Sequence, residues 1–66
     1  MKLDKEKFHL AMAERCMRSS EVQEKSGLPK GTYLNAVTGR NVRPDTLGKI
    51  ARALNTPAKS IMADEE

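Results

Sequence analysis

The sequence predicts an all-α domain built from five short helices, and three observations predict it. Only nine of the 66 residues are β-branched, and they never alternate with polar residues over a strand's length. Helix-stopping and helix-starting residues (Gly27, Pro29, Gly39, Pro44, Asn55, Pro57) cut the chain into short pieces. Within the pieces apolar residues recur at helical spacing, most cleanly at Leu47, Ile50, Ala51 and Leu54.

The first helix begins after Asp4, a good N-cap, with Glu6 in the first turn and Leu3 and Phe8 at the two positions of a hydrophobic staple. Phe8, Ala11, Met12 and Arg15 share its inner face, the arginine packing its stem while its charge reaches water. A second helix starts at Ser19 or Ser20, where Ser20 and Gln23 have capping-box spacing, and stops at Gly27. Leu28-Pro29 leads into a third helix, with Tyr33, Ala36 and Val37 inward, that stops at Gly39. After the open basic stretch Arg40-Asn41-Val42-Arg43, Pro44 and Asp45 start a fourth helix that Asn55 ends. Thr56 as N-cap and Pro57 at N1 begin a fifth, a turn or two ending near Ile61 and Met62. Residues 1–63 are thus read as one domain, and the acidic residues 64–66 as a frayed tail.

Size narrows the function. Of the 66 residues 25 are apolar, seven of them alanine, so a pocket of the usual hundreds of cubic ångströms has no room. One cysteine, Cys16, and one histidine, His9, supply neither a disulfide nor a zinc ligand set, so no metal or other cofactor is expected. His9 has no companion that would make it a general base, and an enzyme is not expected. No apolar run is long enough to span a membrane or resemble a signal peptide; with an unpaired thiol, this points to the cytoplasm. No small-molecule substrate is expected.

Charge is unevenly distributed. Residues 1–24 carry five basic and five acidic groups, whereas residues 25–63 carry seven basic groups against Asp45 alone. The acidic tail returns the total to +3. A basic second half is the pattern of a domain that binds a polyanion, since each neutralised phosphate releases condensed counterions.

The segment from Ser19 to Met62 resembles the helix-turn-helix core of the lambda-repressor and Cro family (XRE type) of prokaryotic and phage regulators. The resemblance rests on joint spacing: Val22, Gly27, Leu28, Tyr33 and Ala36 in the two motif helices, then Gly39, Pro44, and the L-x-x-I-A-x-x-L run from Leu47 to Leu54. It implies a compact five-helix fold with helices two and three as the motif, and a repressor that binds double-stranded operator DNA. Two helices joined by a turn of about four residues cross at a wide angle, which lets one protrude into a major groove about 12 Å wide. Helix three is the one that can protrude.

If Tyr33, Ala36 and Val37 face inward, helical periodicity turns Lys30, Gly31, Leu34 and Asn35 outward as the base-reading set. Asn35 suits adenine, Lys30 suits guanine or a phosphate, Leu34 suits a thymine methyl, and Gly31 allows close backbone approach. Ser19 and Ser20, at the start of helix two, are placed to bind backbone phosphate through free N–H groups. Thr32, Thr38, Arg40, Asn41 and Arg43 complete the phosphate set, the last four by resemblance lying on the loop that follows the DNA backbone. Related modules bind as dimers to half-sites about one helical turn apart. A weak homodimer tightened by DNA is therefore expected, with Ile61 and Met62 as its surface.

Three positions depart from the family pattern. Gln23 stands where a small residue is usual, so its side chain is expected to bend outward. Met12 and Val37 stand where many members pair an arginine with a glutamate, and are expected to replace that ion pair by an apolar contact. Asp45 places an acid near the phosphate loop. A second function class stays open: a protein-binding module of the same fold, antitoxin-like or an antirepressor fragment.

Overall fold

The computed structural model describes residues 1–63; the tail expected at 64–66 lies outside the described residues. Asp4 caps α1 (Lys5–Glu14) by accepting the Lys7 N–H at 3.1 Å, and Leu3 and Phe8, the staple pair, are both buried. Arg15 is exposed, so its charge reaches water as expected, but the guanidinium is also tethered. Its Nε and Nη2 donate to the Leu54 and Asn55 carbonyls at 3.1 and 2.9 Å, placing a cation at the negative end of a helix 39 residues away.

Helices α2 (Ser19–Ser26), α3 (Lys30–Val37) and α4 (Pro44–Ala53) come next in the chain. The start of α2 corrects the expectation: Arg18 is the N-cap, and its N–H donates to the Glu21 carboxylate at 2.9 Å. Ser19 and Ser20 are therefore the first two helical residues. No Ser20–Gln23 capping box forms, because each of the two residues sits two positions past the N-cap and N3 positions, which Arg18 and Glu21 occupy.

Each of the four helices stops at a residue in the left-handed region: Cys16 (φ 53), Gly27 (φ 73), Gly39 (φ 92) and Asn55 (φ 54). After α1, α3 and α4 the next two N–H groups return to the last turn, as from Gly39 to Ala36 (3.2 Å) and from Arg40 to Asn35 (3.3 Å). After α2 one of these bonds is replaced. The Ser26 hydroxyl inserts itself, donating to the Gln23 carbonyl at 2.7 Å and accepting the Leu28 N–H at 3.2 Å. Gln23 bends into the turn rather than outward, its Nε2 donating to the Leu28 carbonyl at 2.6 Å. Both backbone groups of Leu28 are thus held by side chains of α2, which pins the turn between the motif helices.

The fifth helix is a single 3₁₀ turn, Ala58–Ser60, so the described residues form four α-helices rather than five. Pro57 is its extended N-cap. Directly beyond this turn the chain pairs with the N-terminal segment, with Asp4 N–H to Ile61 O at 2.8 Å, Ala63 N–H to Lys2 O at 2.9 Å, and a bridge between Leu3 and Met62. Too few residues lie between Pro57 and that bridge for α-helix to propagate.

The core joins Phe8 and Ala11 of α1, Val22 of α2, Tyr33 and Ala36 of α3, and Leu47, Ile50, Ala51 and Leu54 from the α4 region, with α2 packed chiefly on α4. Leu3, Leu28 and Ile61 complete it. Met12 and Val37 only flank this core and are half-buried. A charge introduced at Val37 would therefore keep part of its hydration.

Candidate nucleic-acid interface

Tyr33 and Ala36 anchor α3 by its inner face, 3% and 0% exposed. Burial there leaves Lys30, Gly31, Leu34 and Asn35 all exposed on the opposite side. Leu34 is 46% exposed, unusual for a leucine in the middle of a helix that also supplies core residues. An α-helix with its side chains is about 10–12 Å across, so a major groove about 12 Å wide admits α3. An open groove flanks α3 on each side. One is lined by Ser19, Ser20, Lys30 and Leu34, the other by Thr32, Asn35, Asn41 and Arg43.

The inner face of α3 is tied to α2 by a hydrogen bond of 2.7 Å between the hydroxyls of Tyr33 and Ser19. Burial pushes the Tyr33 phenol above its ordinary pKa, and the bond to Ser19 partly opposes that rise. The Ser19 hydroxyl is engaged with Tyr33, which leaves the backbone N–H, the group expected to meet a phosphate, as what Ser19 offers an anion at the start of α2. Ser20 beside it is exposed. Thr38 closes α3 by donating its hydroxyl to the Asn35 carbonyl at 3.0 Å.

The stretch after α3 is exposed at Arg40, Asn41 and Arg43, while Val42 between them packs against the core. Arg43 lies 3.9 Å from the Asp45 carboxylate, a loose ion pair with both side chains largely in solvent. Such a contact is weak and gives way readily to a phosphate. Asp45 also accepts the Thr46 N–H at 2.9 Å, so the acid near the loop serves the start of α4.

In chain order these parts are a helix pair with a pinned turn, the second helix exposed along one face, and a basic loop directly after it. Compared with known families, residues 7–65 match the Cro/C1-type HTH DNA-binding domain. The chain belongs to that family. Cro/C1-type domains bind DNA, and they form a family of DNA-binding domains rather than of enzymes. No curated protein and no solved structure matches the chain. Among the described residues no helix is long and apolar enough to cross a membrane.

Burial within this Cro/C1-type domain corrects the dimer surface expected at Ile61. Ile61 is 0% exposed and belongs to the core, so it has no surface to offer a second subunit; Met62 is half-buried beside Leu3. Sequence reasoning missed the Ser26–Gln23–Leu28 arrangement that sets the turn. Its signal was present: Gln23 at a position usually small, three residues before a serine, with a proline after Leu28.

Proposed function

We propose that this domain is a sequence-specific transcriptional repressor that reads the major groove of double-stranded operator DNA with α3. The observation that carries the reading is the division of α3: Tyr33 and Ala36 buried, Lys30, Gly31, Leu34 and Asn35 exposed between two open grooves. Asn35 pairs with adenine N6 and N7, Lys30 donates to guanine O6 and N7 or to a phosphate, and Leu34 packs on a thymine methyl. Backbone phosphates are held on one side by Ser19 and Ser20 at the start of α2, and on the other by Thr32, Thr38, Arg40, Asn41 and Arg43. So small a module gains affinity by binding as a pair on adjacent half-sites, a homodimer that forms weakly in solution and is tightened by DNA.

Selection of bound duplexes from a random library, with sequencing of the survivors, tests this. A motif of two related half-sites is expected. On the selected duplex Asn35→Ala should relax the preference at one base position, by about 1–3 kcal/mol of discrimination. Arg40→Ala should weaken binding to all duplexes alike. Failure of the protein, at tens of micromolar and low salt, to shift any duplex in the pool would overturn the reading.

A further inference from the structure

The charge pattern of the sequence gives α1 no part in DNA binding, because its basic and acidic groups balance. Folding breaks that balance. Lys5, the first residue of α1, lays its side chain across the end of α3: a Cβ built on Gly39 would stand 3.8 Å from Lys5 Cε. Independently, the backbone of Met1 pairs with Val42 in both directions, at 2.7 and 3.2 Å. These two contacts bind the N-terminal segment along the loop that carries Arg40 and Arg43.

Lys5 is poorly explained by the stability of its own helix. A cation in the first turn opposes the helix dipole, which favours acids there. Lys5 is exposed, and no carboxylate among the described residues lies within ion-pair distance of it. Its Cε instead lies beside Gly39, the residue before Arg40 in the loop of the proposed phosphate contacts. Glycine at position 39, required by φ 92, also leaves the backbone bare where the lysine stem crosses it.

We propose that Lys5 is a further DNA-backbone contact, its ammonium reaching over Gly39 to join Arg40 and Arg43 on the phosphates that flank the recognition helix. This rests on the reading of α3 as the base-reading helix, and the test separates the two. A phosphate contact adds to affinity and to its salt dependence without altering base preference.

The experiment measures binding of the full chain to a duplex selected from the random library, and to sheared mixed-sequence duplex DNA, from 50 to 200 mM NaCl. Lys5→Gln should weaken binding to both duplexes, about eightfold at 0.1 M salt and about fourfold at 0.2 M, with the slope of log K against log salt falling by about 0.9. Lys5→Arg should keep the slope. Lys59→Gln removes the same charge in the groove between α1 and the 3₁₀ turn and should leave the slope close to that of the unmodified protein. A Lys5→Gln slope equal to wild type would overturn the proposal. Coupled to a lower Tm, that result would make Lys5 a structural cation at the end of α3. Equal slope losses for Lys5→Gln and Lys59→Gln would overturn it too, since the effect would then be one of net charge. If wild type binds no duplex, the reading of α3 fails first; if wild type binds and Asn35→Ala relaxes base preference while Lys5→Gln changes nothing, only the Lys5 contact fails.

Discussion

Cys16 occupies a position that favours glycine, and replacing it should stabilise the domain. Its φ is 53, its side chain is exposed, and its N–H closes the end of α1 on the Ala13 carbonyl at 3.2 Å. The left-handed conformation costs a residue with a Cβ about 1–2 kcal/mol. Glycine removes that cost but gives back about 0.5–1 kcal/mol through its greater freedom in the unfolded chain. No packing is lost, because the thiol is in solvent. Cys16→Gly should therefore raise stability by about 0.5–1 kcal/mol. At about 2.1 cal/mol/K of unfolding entropy per residue, a domain of this size melts with about 0.14 kcal/mol/K, so Tm should rise by about 4–7 °C. The assay is thermal unfolding monitored by circular dichroism under reducing conditions. Two companions isolate the cause: Cys16→Ala, which removes the thiol and keeps the Cβ, should stay within about 0.5 kcal/mol of wild type, and Cys16→Val should fall below it. A Tm for Cys16→Gly at or below that of Cys16→Ala would refute the argument from backbone strain. Asn55→Gly should gain less, because asparagine tolerates the left-handed region better than cysteine.

The same geometry sets other outcomes. Arg15→Ala should lower stability by about 1–2 kcal/mol in chemical denaturation, since it strips two carbonyls at the end of α4 of a charged donor. Gln23→Ala should cost about 1 kcal/mol by freeing the part-buried Leu28 carbonyl; stability equal to wild type would mean the turn is held by Ser26 alone. Tyr33, whose pKa is raised in the folded state, gives a pH dependence of definite sign. Its contribution is complete below the ordinary tyrosine pKa of about 10 and is lost as pH rises from there through the folded-state value. Stability of wild type should thus fall more steeply above about pH 10 than that of Tyr33→Phe, while Tyr33→Phe is less stable at neutral pH by the lost bond to Ser19, about 1 kcal/mol.

Much of the fold was legible in the residues because the signals that carry it are local. Asp4 with Leu3 and Phe8, Gly27, Gly39, Pro44 and Asn55 each act on groups within about four residues, where backbone sterics and one hydrogen bond decide the outcome. The inward face of α3 was equally readable: the helical period that places Tyr33 and Ala36 on one side exposes Lys30, Gly31, Leu34 and Asn35 on the other. Local reasoning erred where two local signals competed or a distant partner altered the choice. Ser19 and Ser20 look like N-caps, yet Arg18 is the cap, with Glu21 accepting its N–H and the Ser19 hydroxyl engaged with Tyr33. Thr56-Pro57 looks like a helix start, yet the pairing of Leu3 with Met62 limits the segment after Pro57 to one 3₁₀ turn and draws Ile61 into the core.

Composition, periodicity and turn residues were enough to establish a small helical domain with an outward-facing third helix and a basic loop, because those properties are summed over neighbours in the chain. Which charges share a surface was decided by folding. Arg15 reaches the end of α4 across 39 residues, and Lys5 crosses Gly39, because the packing of a core around Phe8, Leu47 and Ile50 sets where each helix end points. A side chain's partner depends on separation in space, which no spacing along the chain encodes until the core has formed.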